Sequence, residues 1–381
     1  MRPGRSDRRA LIGKDEYVPN APQTYEEQLL AVTSAVEPTD PAAEDAAWKR
    51  LDSLTKPPRS LGRLEEVAAR VARIQGTDRP SVSRRAVILA AGDHGVVAEG
   101  VAPYPQDVTW QMVANFAASG AAINQIAESV GAEVFVYDVG VASDVSGFEG
   151  VIGRKVAKGT ANMALGPAMT REECAHAILV GVEAARELAE RGYTLIGTGE
   201  MGIGNSTAAA ALTAVFAGRE PQSVVGRGTG LDDQGVNHKA RVVERALLVN
   251  RTNELDALGV LAAVGGLEIA ALAGVVIGCA QERVACVIDG FISGAAALAA
   301  VALCPSAGEY LLASHLSVEP GHRAVLETLR LEPVFALDMR LGEGTGAALA
   351  FGVVDAACRV LSGMATFAEA GVSEAGAAPA D

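Results

Sequence analysis

A glutamate set between glycines in LGEGTGA (341–347), just ahead of a long apolar helical pattern, has the makings of a proton acceptor. Two readings of Glu343 are open. A carboxylate near a helix N-terminus often serves only as a cap, whereas on a loop whose glycines admit a substrate it can act as a general base. A second glutamate, Glu200, interrupts the glycine-rich segment GTGEMGIGNST (197–207). That segment follows an apolar β-rich run and opens a helix. Its amides from Gly202 through Gly204, Asn205 and Ser206 to Thr207, backed by the helix dipole, therefore suit a phosphate. A glycine turn with an ordinary Asn/Ser/Thr cap is the plainer alternative. Gly197-x-Gly199-x-x-Gly202 formally matches the dinucleotide fingerprint, but it comes late in the chain, carries a charge inside the turn and lacks a clear acidic ribose partner. A second glycine loop, GRGTGLDDQGVNHK (226–239), ends in Lys239, which could neutralise a phosphate dianion beside the first loop.

Such residues act together only if the fold brings them to one place. AVILAA (86–91), EVFVYDV (133–139), YTLIGTG (193–199), VACVID (284–289) and VFALDM (334–339) are predicted buried strands. Helices are predicted over 107–130, 170–191 with a Thr170/Glu173 capping box, 206–217, 236–250 and 345–361, and in the stretch 48–75 around the breaker Lys56-Pro57-Pro58. Strands alternating with helices imply right-handed crossovers and a doubly wound, mainly parallel α/β sheet covered on both faces. Ligands of open parallel sheets bind beyond the carboxyl ends of the strands. Asp93-His94, Asp138, Glu200, Asp289, Arg340 and Glu343 all fall there, so one edge of the sheet collects carboxylates. The α/β domain is expected over 84–345, after a flexible extension over residues 1–24 and before a flexible tail over 373–381.

Composition excludes several functions. Lys+Arg 32 against Asp+Glu 46 gives a net charge of −14, the wrong sign for a nucleic-acid partner. Five cysteines without a CxxC pair fit reduced thiols and a cytoplasmic location. The uncharged runs 269–280 and 290–304 are too short to span a bilayer, and no membrane segment is expected. The five histidines form no metal-binding motif, and there is no G-x-S-x-G nucleophile elbow, so neither a metal nor a hydrolytic serine is expected.

KPPRSLGRLE (56–65), DHGVVAEGVAPYPQDVT (93–109), GEMGIGNST (199–207), IDGFISGAAAL (288–298), SHLSVEPG (314–321) and MRLGEGTGAAL (339–349) together resemble the nicotinate-nucleotide:dimethylbenzimidazole phosphoribosyltransferase family, from about residue 45 to 365. The resemblance implies a homodimer whose subunits carry a small helical domain, built from residues 25–83 and 346–372. It also implies transfer of the 5-phosphoribosyl group of nicotinate mononucleotide to 5,6-dimethylbenzimidazole without a cofactor. Glu343 would be the general base and Glu200 would orient the base and ribose. Gly202, Gly204, Asn205, Ser206, Thr207 and Lys239 would receive the phosphate, and Tyr104, Met112, Met201 and Leu341 would line the benzimidazole slot. Asp93, His94, Asp289, Phe291, Ser293 and His315 are further site candidates, the last four as residues completing the site at the dimer interface. A different acceptor, adenine or a phenol, and a non-catalytic nucleotide-binding protein are the alternatives.

Overall fold

The computed structural model describes residues 23–373. Nearly all of the expected extension and tail lies outside them, but Thr24 belongs to the folded body. Its hydroxyl accepts the Glu27 amide and closes a capping box on the first helix.

Six strands form one sheet: β1 Arg85–Gly92, β2 Ala132–Gly140, β3 Val151–Gly153, β4 Leu195–Met201, β5 Ala285–Ile288 and β6 Leu311–Ala313. All pair in parallel, in the order β3-β2-β1-β4-β5-β6. The chain steps outward from β1 to β3, returns to place β4 beside β1, then steps outward the other way. The reversal between β1 and β4 opens a crevice at their carboxyl ends.

Helices α1 Tyr25–Ser34, α2 Pro41–Ser53 and α3 Arg63–Gln75 precede the sheet. Helices α4 Val108–Ala117 and α5 Ala122–Ser129 link β1 to β2, and α6 Arg171–Glu190 links β3 to β4. Between β4 and β5 run α7 Asn205–Phe216, α8 Pro221–Val224, α9 Asp233–Val249, α10 Ala257–Val264 and α11 Leu267–Gln281. Helix α12 Phe291–Leu303 leads to β6, and α13 Pro320–Leu329, α14 Thr345–Gly363 and α15 Phe367–Ala370 follow it. The alternation of β-rich and amphipathic stretches thus yields the doubly wound α/β fold it implies.

The uncharged runs noted in the sequence are α11 and α12. Helix α11 is buried along nearly its whole length, packed between the sheet and α6. Helix α14 is long and apolar enough to cross a membrane, with a mean hydropathy of 1.4. Its apolar side instead lies on β4 and α3. Helices α2 and α3 pack on each other and against α14, whereas α1 lies on α6. A buried ion pair, Lys56 to Glu65 at 3.0 Å, ties the Pro57-Pro58 turn to α3.

Two expectations are corrected. VFALDM (334–339) is not a strand; it makes a single bridge, Phe335 to His315, and the edge strand is Leu311–Ala313. Its apolar letters suggest burial, but Leu337 is exposed and Asp338 takes a left-handed φ of 53°, which ends any extended run. The single helix predicted over 107–130 is two helices, broken where Ser119 adopts φ 57° and Gly120 donates to the Asn115 carbonyl.

Candidate active site

The crevice between β1 and β4 widens into a cleft of about 660 Å³. Glu200, Met201, Tyr104, Met112, Leu341 and Glu343 all border it.

The glycines of GTGEMGIGNST divide into two kinds. Gly197 and Gly199 lie inside β4 and face α14. A Cβ on Gly197 would stand 2.9 Å from the Phe351 ring, and one on Gly199 would stand 2.7 Å from the Glu343 carbonyl oxygen. These two glycines therefore serve close packing. The turn after β4 does the rest: Gly204, at φ 96°, is the N-cap of α7 and brings no side chain to it. The Asn205 and Thr207 amides turn back on the carbonyls of Gly202 and Gly204, and the Ile203 amide donates to Thr109 Oγ1. Among the described residues the amides of Gly204 and Ser206 find no acceptor, which leaves the start of α7 electropositive.

A small hollow of about 30 Å³ opens there, walled by the α7 turn, Gly228 and Lys239. Lys239 comes from the second turn of α9 and is almost wholly buried; its Nζ donates to Ser206 Oγ at 2.8 Å. Burial pulls its pKa down to about 8, against the opposing pull of Glu319. Glu319 accepts the Gly228 amide at 3.0 Å through Oε1 and so fixes the second glycine loop against the hollow. Thr207 is fully buried and does not line the hollow, whose polar side chains are Asn205, Ser206, Arg227, Thr229 and Lys239.

Glu343 projects from a turn in which Gly342, Glu343 and Gly344 all have left-handed φ, at 82°, 63° and 85°. Its side chain is buried, Oε2 has no partner, and desolvation raises its pKa to about 7. Glu200 is also buried and accepts from the Asn205 side-chain amide. Burial, reinforced by the charges of Asp289, Glu268 and Glu343, lifts its pKa to about 8. Two carboxyls of raised pKa therefore share a cleft with an anion hollow.

The remaining candidates do not border the cleft. Asp93 Oδ2 accepts the Ala142 amide at 2.8 Å, and His94 Nε2 meets Glu268 Oε1 at 2.5 Å in the buried floor beneath Gly202. Phe291 and Ser293 open α12 inside the core. They are buried within the single chain, which leaves their side chains no surface to offer a partner subunit. Asp289 and His315 are likewise buried, with the His315 pKa lowered to about 4 by desolvation. Asp138, another strand-end carboxylate, pairs with Lys155 at 3.0 Å. Glu268 sits in an ordinary helix start with no sequence signal, and Glu319 lies within SHLSVEPG but is not among the site candidates there; only the fold turns each toward the site. Among the described residues no group of three or more His, Cys, Asp or Glu is placed to hold a metal ion.

An all-parallel sheet with an anion hollow and paired carboxyls at its switch point is the architecture of a nucleotide-handling α/β protein. Residues 36–372 match the family model described as Phosphoribosyltransferase. The chain is 54% identical over 346 residues to the nicotinate-nucleotide–dimethylbenzimidazole phosphoribosyltransferase of Chloroflexus aggregans, a match covering 91% of this chain and 98% of the relative. The protein of the same name from Geobacter metallireducens is 51% identical over 346 residues, with the same shares of both chains covered. A crystal structure of that enzyme from Thermus thermophilus superposes with a TM-score of 0.84 at 51% identity, covering 88% of this chain and 99% of the other. The chain belongs to the nicotinate-nucleotide–dimethylbenzimidazole phosphoribosyltransferase family, and it is a transferase.

Proposed function

We propose that the protein moves the 5-phosphoribosyl group of nicotinate mononucleotide to 5,6-dimethylbenzimidazole, giving α-ribazole 5′-phosphate and nicotinate. The carrying observation is Glu343: a buried carboxyl with a free oxygen, tuned near neutrality, on the same cleft as the anion hollow. The phosphate seats in the hollow, against the α7 amides, Ser206 and Lys239. Tyr104, Met112, Met201 and Leu341 offer a flat, polarisable wall for the acceptor ring.

One benzimidazole nitrogen attacks C1′ while the C1′–N bond to the pyridinium breaks, and its electron pair returns to the nicotinate nitrogen. The leaving ring is neutral at that nitrogen, so it needs no protonation. The acceptor's other ring nitrogen becomes acidic as the bond forms, and Glu343 takes that proton. Attack on the face opposite the leaving ring inverts C1′ and gives the α-product. Burial and neighbouring carboxylates hold the Glu200 pKa at about 8, which favours the protonated form. A cationic pyridinium nucleotide favours its ionised form, which then stabilises the positive charge developing on the ribose. Two rings held on opposite sides of C1′ let positioning supply much of the rate.

The same reading assigns a homodimer and a reducing, cytoplasmic setting, the latter supported by five buried, unpaired cysteines. Chromatography of the reaction tests the activity: nicotinate appears from nicotinate mononucleotide only when a benzimidazole is added. Release without acceptor, or none with it, refutes the assignment, and competition with adenine or a phenol ranks the acceptors.

A further inference from the structure

Asp289 follows β5 and is 1% exposed, yet it touches no part of the cleft. Its carboxylate lies under the start of α14. Oδ2 accepts the amide of Gly344 at 3.1 Å and Oδ1 accepts that of Ala347 at 3.0 Å. Helix α14 has no cap of its own, because its N-cap residue is Gly344. A neighbouring strand end thus supplies the acceptor that a local Ser or Asp supplies elsewhere.

The turn so held contains Glu343. A glutamate in left-handed backbone brings its Cβ too close to the following carbonyl, so the turn keeps that form only where its surroundings enforce it. Three contacts do so. Gly199 of β4 lets the Glu343 carbonyl press onto the sheet, and Asp289 holds the amides from the β5 side. The His315 ring lies directly against Gly346, where a Cβ would overlap it, and Ser314 Oγ bridges the Asp289 carbonyl at 3.0 Å and His315 Nδ1 at 3.1 Å.

We propose that Asp289 is a positioning residue for the transfer reaction: its carboxylate clamps the Gly342–Gly344 turn in the form that presents the Glu343 carboxyl to the cleft. The inference rests on the reading of Glu343 as the base. Asp289 acts on the base through that turn, and its charge also contributes to the raised pKa of Glu200.

Asp289→Asn keeps the side chain's shape but weakens the clamp on two amides. A displacement of about 1 Å at a catalytic group lowers turnover about 10²-fold, so kcat falls by that factor. The KM for nicotinate mononucleotide stays within about twofold, because the hollow depends on α7 and Lys239. The double variant Asp289→Asn/Glu343→Gln is no slower than Glu343→Gln alone, since both changes disable one device. Losses that multiply, or a rise in KM matching the fall in kcat, overturn the proposal. Should Asp289→Asn fail to fold, amide hydrogen exchange of the unaltered protein decides. Gly344 and Ala347 then exchange as slowly as the interior of α14, and exchange at loop rates overturns the clamp. That exchange is independent of activity, so a wild-type protein that releases no nicotinate refutes the assigned reaction and leaves the clamp to be judged separately.

Discussion

Glu343→Gln separates the chemistry of the cleft from its stability. The substitution keeps the size and hydrogen-bonding outline of the side chain but removes the proton acceptor, so kcat should fall about 10²–10⁴-fold, the usual worth of a positioned general base. Stability should move the other way. The Glu343 pKa rises from its ordinary 4.5 to about 7 on burial. At about 1.4 kcal/mol per pK unit that difference amounts to at most about 3.5 kcal/mol. The sign follows from where the proton sits. Between pH 4.5 and about 7 the folded state holds a proton that the unfolded chain releases, so wild-type stability falls as pH rises through that window. Above it the folded protein carries the full penalty of a buried charge, and the glutamine variant does not. The variant should therefore be slower once Glu343 is ionised in the wild type, above about pH 7, equal to wild type in stability near pH 4, and more stable at pH 8. Steady-state nicotinate release and urea unfolding at the two pH values measure both effects. Wild-type kcat/KM should rise with pH to a plateau above about 7, as the base ionises. A variant that turns over at near wild-type rate, or that is less stable than wild type at pH 8, refutes the assignment of Glu343.

Lys239→Met removes the buried cation of the hollow while filling its space. The KM for nicotinate mononucleotide should rise about 10–100-fold, the worth of a charge-assisted hydrogen bond, with kcat little changed. An unchanged KM in steady-state assays places the phosphate elsewhere. Nucleotide binding by the wild-type protein should also weaken above pH 8, where Lys239 loses its proton, and isothermal titration across pH 7–9 checks this. Gly342→Ala puts a Cβ against Glu200 Oε1 at a left-handed φ of 82°. It should cost about 1–2 kcal/mol and lower activity by disturbing both carboxyls, so a variant of wild-type rate and melting temperature contradicts the described turn. Lys56→Met leaves Glu65 buried without its counter-charge, holding only the Leu61 amide at 2.9 Å. Such a loss costs about 3–5 kcal/mol, and the double change Lys56→Met/Glu65→Met should recover most of it in denaturant unfolding.

Local order decided how much of this was legible in the sequence. Apolar runs of strand length, the Thr170/Glu173 capping box and the glycine breaks mark elements through forces acting within a few residues, so β1, β2, β4, β5 and α6 fall where the sequence predicts them. The edge of the sheet was less legible. β3 has three residues, too few for a periodic signal, and the VFALDM segment is as apolar as a strand but makes a single bridge before Asp338 turns left-handed.

The chain's chemistry followed the same division. Sequence alone determined which residue types stand at strand ends and in glycine turns, because glycine's backbone freedom and a carboxylate's proton affinity belong to the residue. Only the tertiary structure decided which of those groups share a cleft and which are buried beneath it. Asp289 and Glu343 are far apart in the chain, yet one holds the turn on which the other sits. The Gly197 and Gly199 that look like a phosphate loop instead make room for α14. The raised pKa values of Glu200 and Glu343 arise from burial and neighbouring charge, which exist only once the strands and helices have closed around them.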